Sequence, residues 1–385
     1  MKKTTLSTLV MVLCSVGIMA CVHKNENENT LLTTKAIHKP EKHFIKVALL
    51  LDTSNSMDGL INHAKAQLWD IVNELSYARC EEKSPNLEIA LYEYGNDNLS
   101  SKEGYIRQVI GFTEDLDDIS EKLFSLTTNG GNEFCGQVIQ TSLNQLDWGK
   151  NEDDLKLIFI AGNEPFTQGQ VNYQDAAVDA KEKDVVVNTI FCGNYEQGIN
   201  GKWKNGALLT NGDYMAIDHN RAIVQIVTPY DDVILKLNLK LNNTYVPYGN
   251  HGRSKFRLQA EQDANAASVN DEIQLKRAVS KSSSLYKNSS WDLVDAIGEN
   301  ELKYEDLKKE KLPNELKGKS ASEVKKYIEE KLAKRMEIKK QIQELNKKRN
   351  EYIVKERKNT KSNDLESALI KAIKKQAKKK NYSWE

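Results

Sequence analysis

The compact signatures of catalysis and nucleotide binding are missing from this 385-residue chain. Its six histidines include no H-E-x-x-H pair, no G-x-S-x-G elbow occurs, and neither a P-loop nor a G-x-G-x-x-G follows the first strand candidate. Net charge is lacking too, since 55 Lys+Arg balance 55 Asp+Glu. Repeats of solenoid type are absent. Cysteine is scarce, at five residues. The N-terminal apolar run, residues 6–16, is far shorter than the roughly 20 residues that a bilayer-spanning helix needs.

That short run is informative in another way. Lys2 and Lys3 precede it and small residues follow, which is the layout of a secretory signal. Ile18-Met19-Ala20-Cys21 resembles the lipobox of bacterial lipoproteins, which implies removal of residues 1–20 and a lipid on the Cys21 thiol. A plain signal peptide with an incidental cysteine is the alternative. Residues 21–42, rich in Asn, Glu, Lys and Thr, read as a disordered tether. Val22 stands where an Asp would retain a lipoprotein at the inner membrane of enteric-type bacteria. The expected address is therefore the bacterial cell envelope, at the outer membrane if the cell is Gram-negative. Lys24 to Glu28 faintly resembles the charged signals some bacteria use for surface display. Secretion argues against nucleic acid as a partner.

The globular part is organised around residues 43–58, HFIKVALLLDTSNSMD. Residues 44–51 are apolar except for Lys46, so they predict a strand buried on both faces, as in a parallel sheet. Further strands are expected at 87–94, 105–112, 155–161, 185–191 and 214–217. Helices are expected at 115–126, 133–146, 170–183, 203–209 and 228–241. The second and third strands are joined by a loop with no room for a crossover helix, so they predict an antiparallel hairpin at the sheet edge. Alternation elsewhere predicts an α/β fold with a doubly wound, mainly parallel sheet. Ligands of such sheets bind beyond the strands' carboxyl ends, where Asp52, Ser54 and Ser56 offer three hard oxygen donors.

Asp-x-Ser-x-Ser between a buried strand and an amphipathic helix resembles the metal-ion-dependent adhesion site of von Willebrand factor type A (vWA) domains, over residues 43–246. The resemblance implies a divalent cation, Mg²⁺ or else Mn²⁺ or Ca²⁺, whose open position accepts an acidic side chain from a protein partner. In the family a Thr and an Asp from two further loops complete the site. Here the second loop reads Gly-Gly-Asn132-Glu133 and the third Gly162-Asn163-Glu164-Pro165. Asn132 or Glu133 takes the Thr position, and Gly162, or Asn163 if the register moves by one, takes the Asp position. Glu133 and Asn163 are the candidate ligands, the Glu restoring the negative charge lost from the third loop. The rival reading is a degenerate site in which Asp52 caps the first helix and the serines bond backbone groups. Phe134, Phe166 and Tyr195 are candidates for rim aromatics.

Once the signal is removed, Cys80, Cys135 and Cys192 remain beside Cys21. The vWA layout places Cys135 and Cys192 at one edge of the sheet, where they could pair, with Cys80 free and buried; three unpaired core thiols are the alternative. Residues 247–385 predict an all-helical region, with helices at 256–283, 288–297, 322–356 and 365–380. In the third of these Ile338, Ile342, Leu345 and Tyr352 keep heptad spacing, whereas Lys331, Arg335 and Arg349 interrupt it. Packing against the helix's own neighbours is favoured over a short coiled coil. Residues 301–385 hold 26 Lys+Arg against 15 Asp+Glu. Three function classes are weighed: a lipoprotein whose vWA domain binds a protein; an envelope-associating structural protein whose terminal Lys374, Lys375, Lys378, Lys379 and Lys380 meet anionic lipid or polymer; and a metal-assisted hydrolase. The first is favoured and an enzyme is not expected.

Overall fold

A computed structural model describes residues 43–217, 226–357 and 365–384. The expected signal peptide and tether, with Cys21, lie outside the described residues. The elements in order are β1 (Phe44–Asp52), α1 (Asp58–Leu75), β2 (Ala78–Cys80), β3 (Asn86–Tyr94), β4 (Ile106–Thr113), α2 (Leu116–Phe124), α3 (Cys135–Gln145), β5 (Leu155–Gly162), α4 (Tyr173–Glu182), β6 (Val186–Cys192), α5 (Tyr195–Asn200), α6 (Trp203–Leu208), β7 (Tyr214–Ile217) and α7 (Asp231–Asn242). They continue with α8 (Gly252–Val269), α9 (Asp271–Ser282), α10 (Leu293–Gly298), α11 (Asn314–Lys317), α12 (Ala321–Arg357), α13 (Leu365–Ala377) and β8 (Tyr382–Trp384).

Six strands form the main sheet in the order β4-β3-β1-β5-β6-β7, parallel throughout except for the edge strand β4, as the hairpin reading expected. β1 lies at the centre. Its side chains alternate between faces with the period of two that a strand imposes. Ile45, Val47, Leu49 and Leu51 enter the core shared with α1, α2 and the C-terminal helices, while Ala48 and Leu50 enter the core under α3, α4 and α6. Both faces are covered, and the parallel strands end together with the Asp52 loop at their carboxyl side.

The helical region is not a separate module, because Lys42–Glu385 forms one compact unit. Its centre is α9, buried at ten of its twelve positions although five residues carry formal charge. Buried ion pairs make that possible: Lys276 to Asp70 of α1 at 2.7 Å, Arg277 to Asp117 of α2 at 2.8 Å, and both Arg277 and Lys281 to Asp263 of α8 at 2.6 and 2.7 Å.

Several sequence expectations need correction. The helix expected at 256–283 is two helices, because Asn270 adopts an extended backbone and accepts the Ile273 N–H at 2.9 Å as the cap of α9. The short coiled coil does not form. α12 packs against α7, α9 and α10, and two residues that break its heptad are its anchors. Arg335 pairs with Asp292 at 2.5 Å and also with Asp295, and donates to the Thr244 carbonyl at 2.7 Å. Arg349 pairs with Asp231 at 3.0 Å and also with Glu272.

The basic terminus folds back on the domain instead of standing free. Lys374, Lys375 and Lys380 pair with Glu74, Asp213 and Asp184. The C-terminal region is helical as expected and ends in one three-residue strand: β8 pairs antiparallel with β2, and Tyr382 donates its hydroxyl to the Phe44 carbonyl at 3.3 Å.

Arg335→Ala would leave Asp292 and Asp295 buried without their cation. It is expected to destabilise the protein by about 3–5 kcal/mol, read as a lower urea midpoint, with far-UV circular dichroism checking that α12 still forms.

Candidate functional site

Three loops converge at the carboxyl edge of the sheet, beyond β1, between α2 and α3, and beyond β5. The register Asp52↔Tyr94 aligns the ends of β1 and β3, and Thr53 N–H donates to the Tyr94 carbonyl at 2.9 Å. Asn96 ties the next loop in, donating from Nδ2 to the Thr127 carbonyl at 2.9 Å and the Thr53 carbonyl at 3.3 Å. Asn129 N–H also donates to Thr53 O, at 3.0 Å. These bonds carry Glu133 to Asp52. Gly95, at φ +78°, makes the approach possible: a Cβ there would sit 2.7 Å from Glu133 Cγ and 2.9 Å from Asp52 Oδ1.

Asp52 is fully buried. Its Oδ1 accepts the Ser54 N–H at 2.7 Å, while Oδ2 is buried with no hydrogen-bond partner. It does not cap α1, whose N-cap position is Met57 with no side-chain cap bond. Glu133, also buried, has its Oε2 without a partner, and its N–H donates to Gln168 Oε1 at 2.9 Å. Ser54 bonds from its side chain to both carboxyls, and the Glu164 backbone reaches the Glu133 carboxyl from the third loop. Burial, then contact with Glu133, pushes the Asp52 carboxyl well above its usual range, and burial likewise raises Glu133. Ser54, Glu133 and Asp52 are thus brought together as the sequence suggested. The Ser56 side chain lies outside the described residues, and Asn163 is half-buried one residue beyond β5.

The structure also gives a physical reason for the missing third-loop acid. A Cβ at residue 162 would fall 2.5 Å from the Tyr94 hydroxyl and 3.1 Å from Asp52 Oδ2. Tyr94 donates that hydroxyl to the Ala161 carbonyl at 2.9 Å and so occupies the space that an Asp at 162 would need. Sequence reasoning read Tyr94 only as strand core and Asn96 only as loop. Each acts through the fold, and no local pattern marks either.

The expected Cys135–Cys192 disulfide is absent. Cys80, Cys135 and Cys192 are free and buried, and Cys135 and Cys192 belong to core clusters on opposite faces of the sheet. Of the rim aromatics, Phe166 is core, stacked edge-on against Trp203 and Tyr173, whereas Tyr195 is half-exposed.

Two buried carboxyls flanked by hydroxyl and amide groups suit a hard cation. Among the described residues no group of three or more His, Cys, Asp or Glu is arranged as a metal site, so serine and amide oxygens would have to complete the set. The contrast with the rest of the molecule is informative. Asp70, Asp117, Asp263, Asp292 and Asp231 are all buried or nearly so, and each faces a lysine or arginine. Asp52 and Glu133 face each other.

A doubly wound sheet with an Asp-x-Ser-x-Ser loop at its carboxyl edge defines a class of binding module. Residues 46–200 match the model of the von Willebrand factor type A domain, a kind of module that generally serves adhesion or protein interaction. No curated protein matches the chain. Similar solved structures include the conserved hypothetical protein BatB from Bacteroides thetaiotaomicron (16% identity, 45% of this chain and 90% of that one, TM-score 0.34). An aerotolerance-related membrane protein from Bacteroides fragilis is similar too (18%, 45% and 92%, 0.30). So is the pilus adhesin SpaC from Lactobacillus rhamnosus GG (12%, 47% and 28%, 0.34). Likenesses this low carry no argument about function. No helix among the described residues is long and apolar enough to cross a membrane.

Both carboxyls hold raised pKa values when no cation is bound, so their neutral forms favour the folded state. That contribution is complete below the ordinary values of 3.8 and 4.5 and is lost as pH rises through the folded ones. In chelator, Asp52→Asn is expected to resist urea better than the parent protein at pH 7, with the difference closing near pH 4.

Proposed function

We propose that this protein is a cell-envelope lipoprotein whose vWA domain binds a protein partner through a divalent cation at the carboxyl edge of the sheet. The observation that carries the reading is the buried pair of carboxyls, Asp52 and Glu133, which meet each other with no protein cation beside them and whose Oδ2 and Oε2 find no donor from another residue. Two like charges held together out of water cost several kcal/mol unless a proton or a cation intervenes. Asp52, Ser54 and Glu133 would hold the ion, with Ser56 and Asn163 as further oxygen donors. When bound, Mg²⁺, Mn²⁺ or Ca²⁺ supplies a coordination position for an acidic side chain of the partner.

The chain's own residues do the positioning. The Ser54 N–H fixes one oxygen of Asp52 so that the other is aimed inward. Gln168 holds the backbone at Glu133, and Asn96 locks two loops to each other. The envelope address is supported by Lys2, Lys3, the apolar residues 6–16 and Cys21 as lipidation site.

Calorimetric titration of Mg²⁺, Mn²⁺ and Ca²⁺ into protein beginning at Val22 tests the site. Saturable binding is expected in the parent, weakened at least tenfold in both Asp52→Ala and Glu133→Ala. No heat with any of the three ions would overturn the metal reading.

A further inference from the structure

Beside the carboxylate pair, between the β5–α4 loop and α5, lies a crevice of about 480 Å³ lined by Asn163, Thr167, Phe191, Gln197, Asn200 and Lys202, together with backbone at Pro165 and Gly201. Its volume is that of a side-chain or small-ligand pocket. The crevice and the site share a wall. Asn163 stands in the loop that replaces the family's acid, and the Trp203 ring, next to Lys202, comes within 3.1 Å of where a Cβ on Gly162 would be.

The chemistry of the lining differs from that of the site. It offers three amides, a hydroxyl and one ammonium group, and no carboxylate. Lys202 is exposed, and no acidic partner faces it among the described contacts. Its backbone is left-handed, at φ +71°, where it precedes α6. Glycine or asparagine would be less strained there, so local backbone needs do not account for a lysine.

We propose that this crevice is a second anchor for the partner: it takes a second carboxylate from an acidic peptide segment whose first carboxylate completes the cation at Asp52 and Glu133. The proposal rests on the metal reading above. The cation and Lys202 are two positive points separated by amide donors, and a segment with two spaced acidic residues matches both. A single acidic residue would reach the cation alone. Charge complementarity at Lys202 selects such a segment over an apolar one, because an apolar chain would cover the ammonium group without giving it a partner.

The probes are fluorescein-labelled glycine peptides carrying one aspartate, or two aspartates at increasing spacing, titrated with the full chain in saturating Mg²⁺ and read by fluorescence anisotropy. At the best spacing, the two-aspartate peptide is expected to bind about three- to fivefold tighter, the scale of one exposed ion pair. Lys202→Gly keeps the backbone and removes the charge. It should abolish that gain and leave one-aspartate binding unchanged, and Lys202→Glu should reverse the gain. Equal binding of the peptides, no binding of either while Mg²⁺ still gives calorimetric heat, or a gain that survives both substitutions would overturn the crevice and leave the metal site standing. Absence of Mg²⁺ heat would overturn both.

Discussion

Burying a charged helix between two halves of the molecule is the constraint on which the rest of the fold depends. α9 carries Lys276, Arg277 and Lys281 into the interior, where an unpaired cation would be prohibitive. Each finds a carboxylate on a different helix: Asp70 on α1, Asp117 on α2 and Asp263 on α8. Tyr286 donates to Asp117 at 2.6 Å, and Asn242 of α7 accepts from Lys281, so the network extends to five elements. Such pairs have strict geometric demands and little net energy, and their contribution here is register. α8, α9 and the sheet-covering helices α1 and α2 can meet in one arrangement that leaves no charge alone.

Against that background the acidic pair at the sheet edge stands out. Elsewhere the chain places a lysine or arginine at each of these buried carboxylates. At Asp52 and Glu133 it provides a hydroxyl, backbone N–H groups and a tyrosine hydroxyl directed elsewhere, none of which neutralises charge. A proton can fill that need at low pH. At neutral pH the divalent ion proposed above would satisfy both carboxyls at once. Glu133 places its charge in the second loop, and in the third Tyr94 occupies the space that a side chain at Gly162 would need.

How far the sequence disclosed this follows from the kind of signal each element carries. β1, β3, β5 and β6 were legible because their buried faces are apolar and β-branched, and the mainly parallel sheet with its edge hairpin followed from alternation with helices and the one short connection. Asp52, Ser54 and Glu133 were legible because a loop motif fixed their positions. Apolar periodicity failed wherever burial is polar. α9 looks like a solvated helix and is core; Arg335 and Arg349 look like interruptions and are anchors. The disulfide failed for a different reason: sequence puts Cys135 and Cys192 at the same edge, but which face a residue occupies depends on the single-residue register of its element. β2 and β8, three residues each, are too short to carry a pattern at all.

The C-terminal segment shows why the helical region belongs to the same unit as the domain. The family match ends at residue 200, before β7 and before anything that covers β7. α13 packs against α1 and β7, and Leu369, Ile373 and Ala377 enter the core together with Ile190, Met215 and Ile217. A sheet face that ended at β7 would leave that apolar surface exposed. The chain covers it only after passing through α7 to α12, then returns beside β2, so the contacts that finish the domain are among the most distant in sequence. Closing loops of that length costs little more than closing moderate ones, because the entropy grows logarithmically, but it delays the contacts in folding. The intervening helices are held meanwhile by α9. The sheet, the charged helix and the returning terminus therefore form one compact unit.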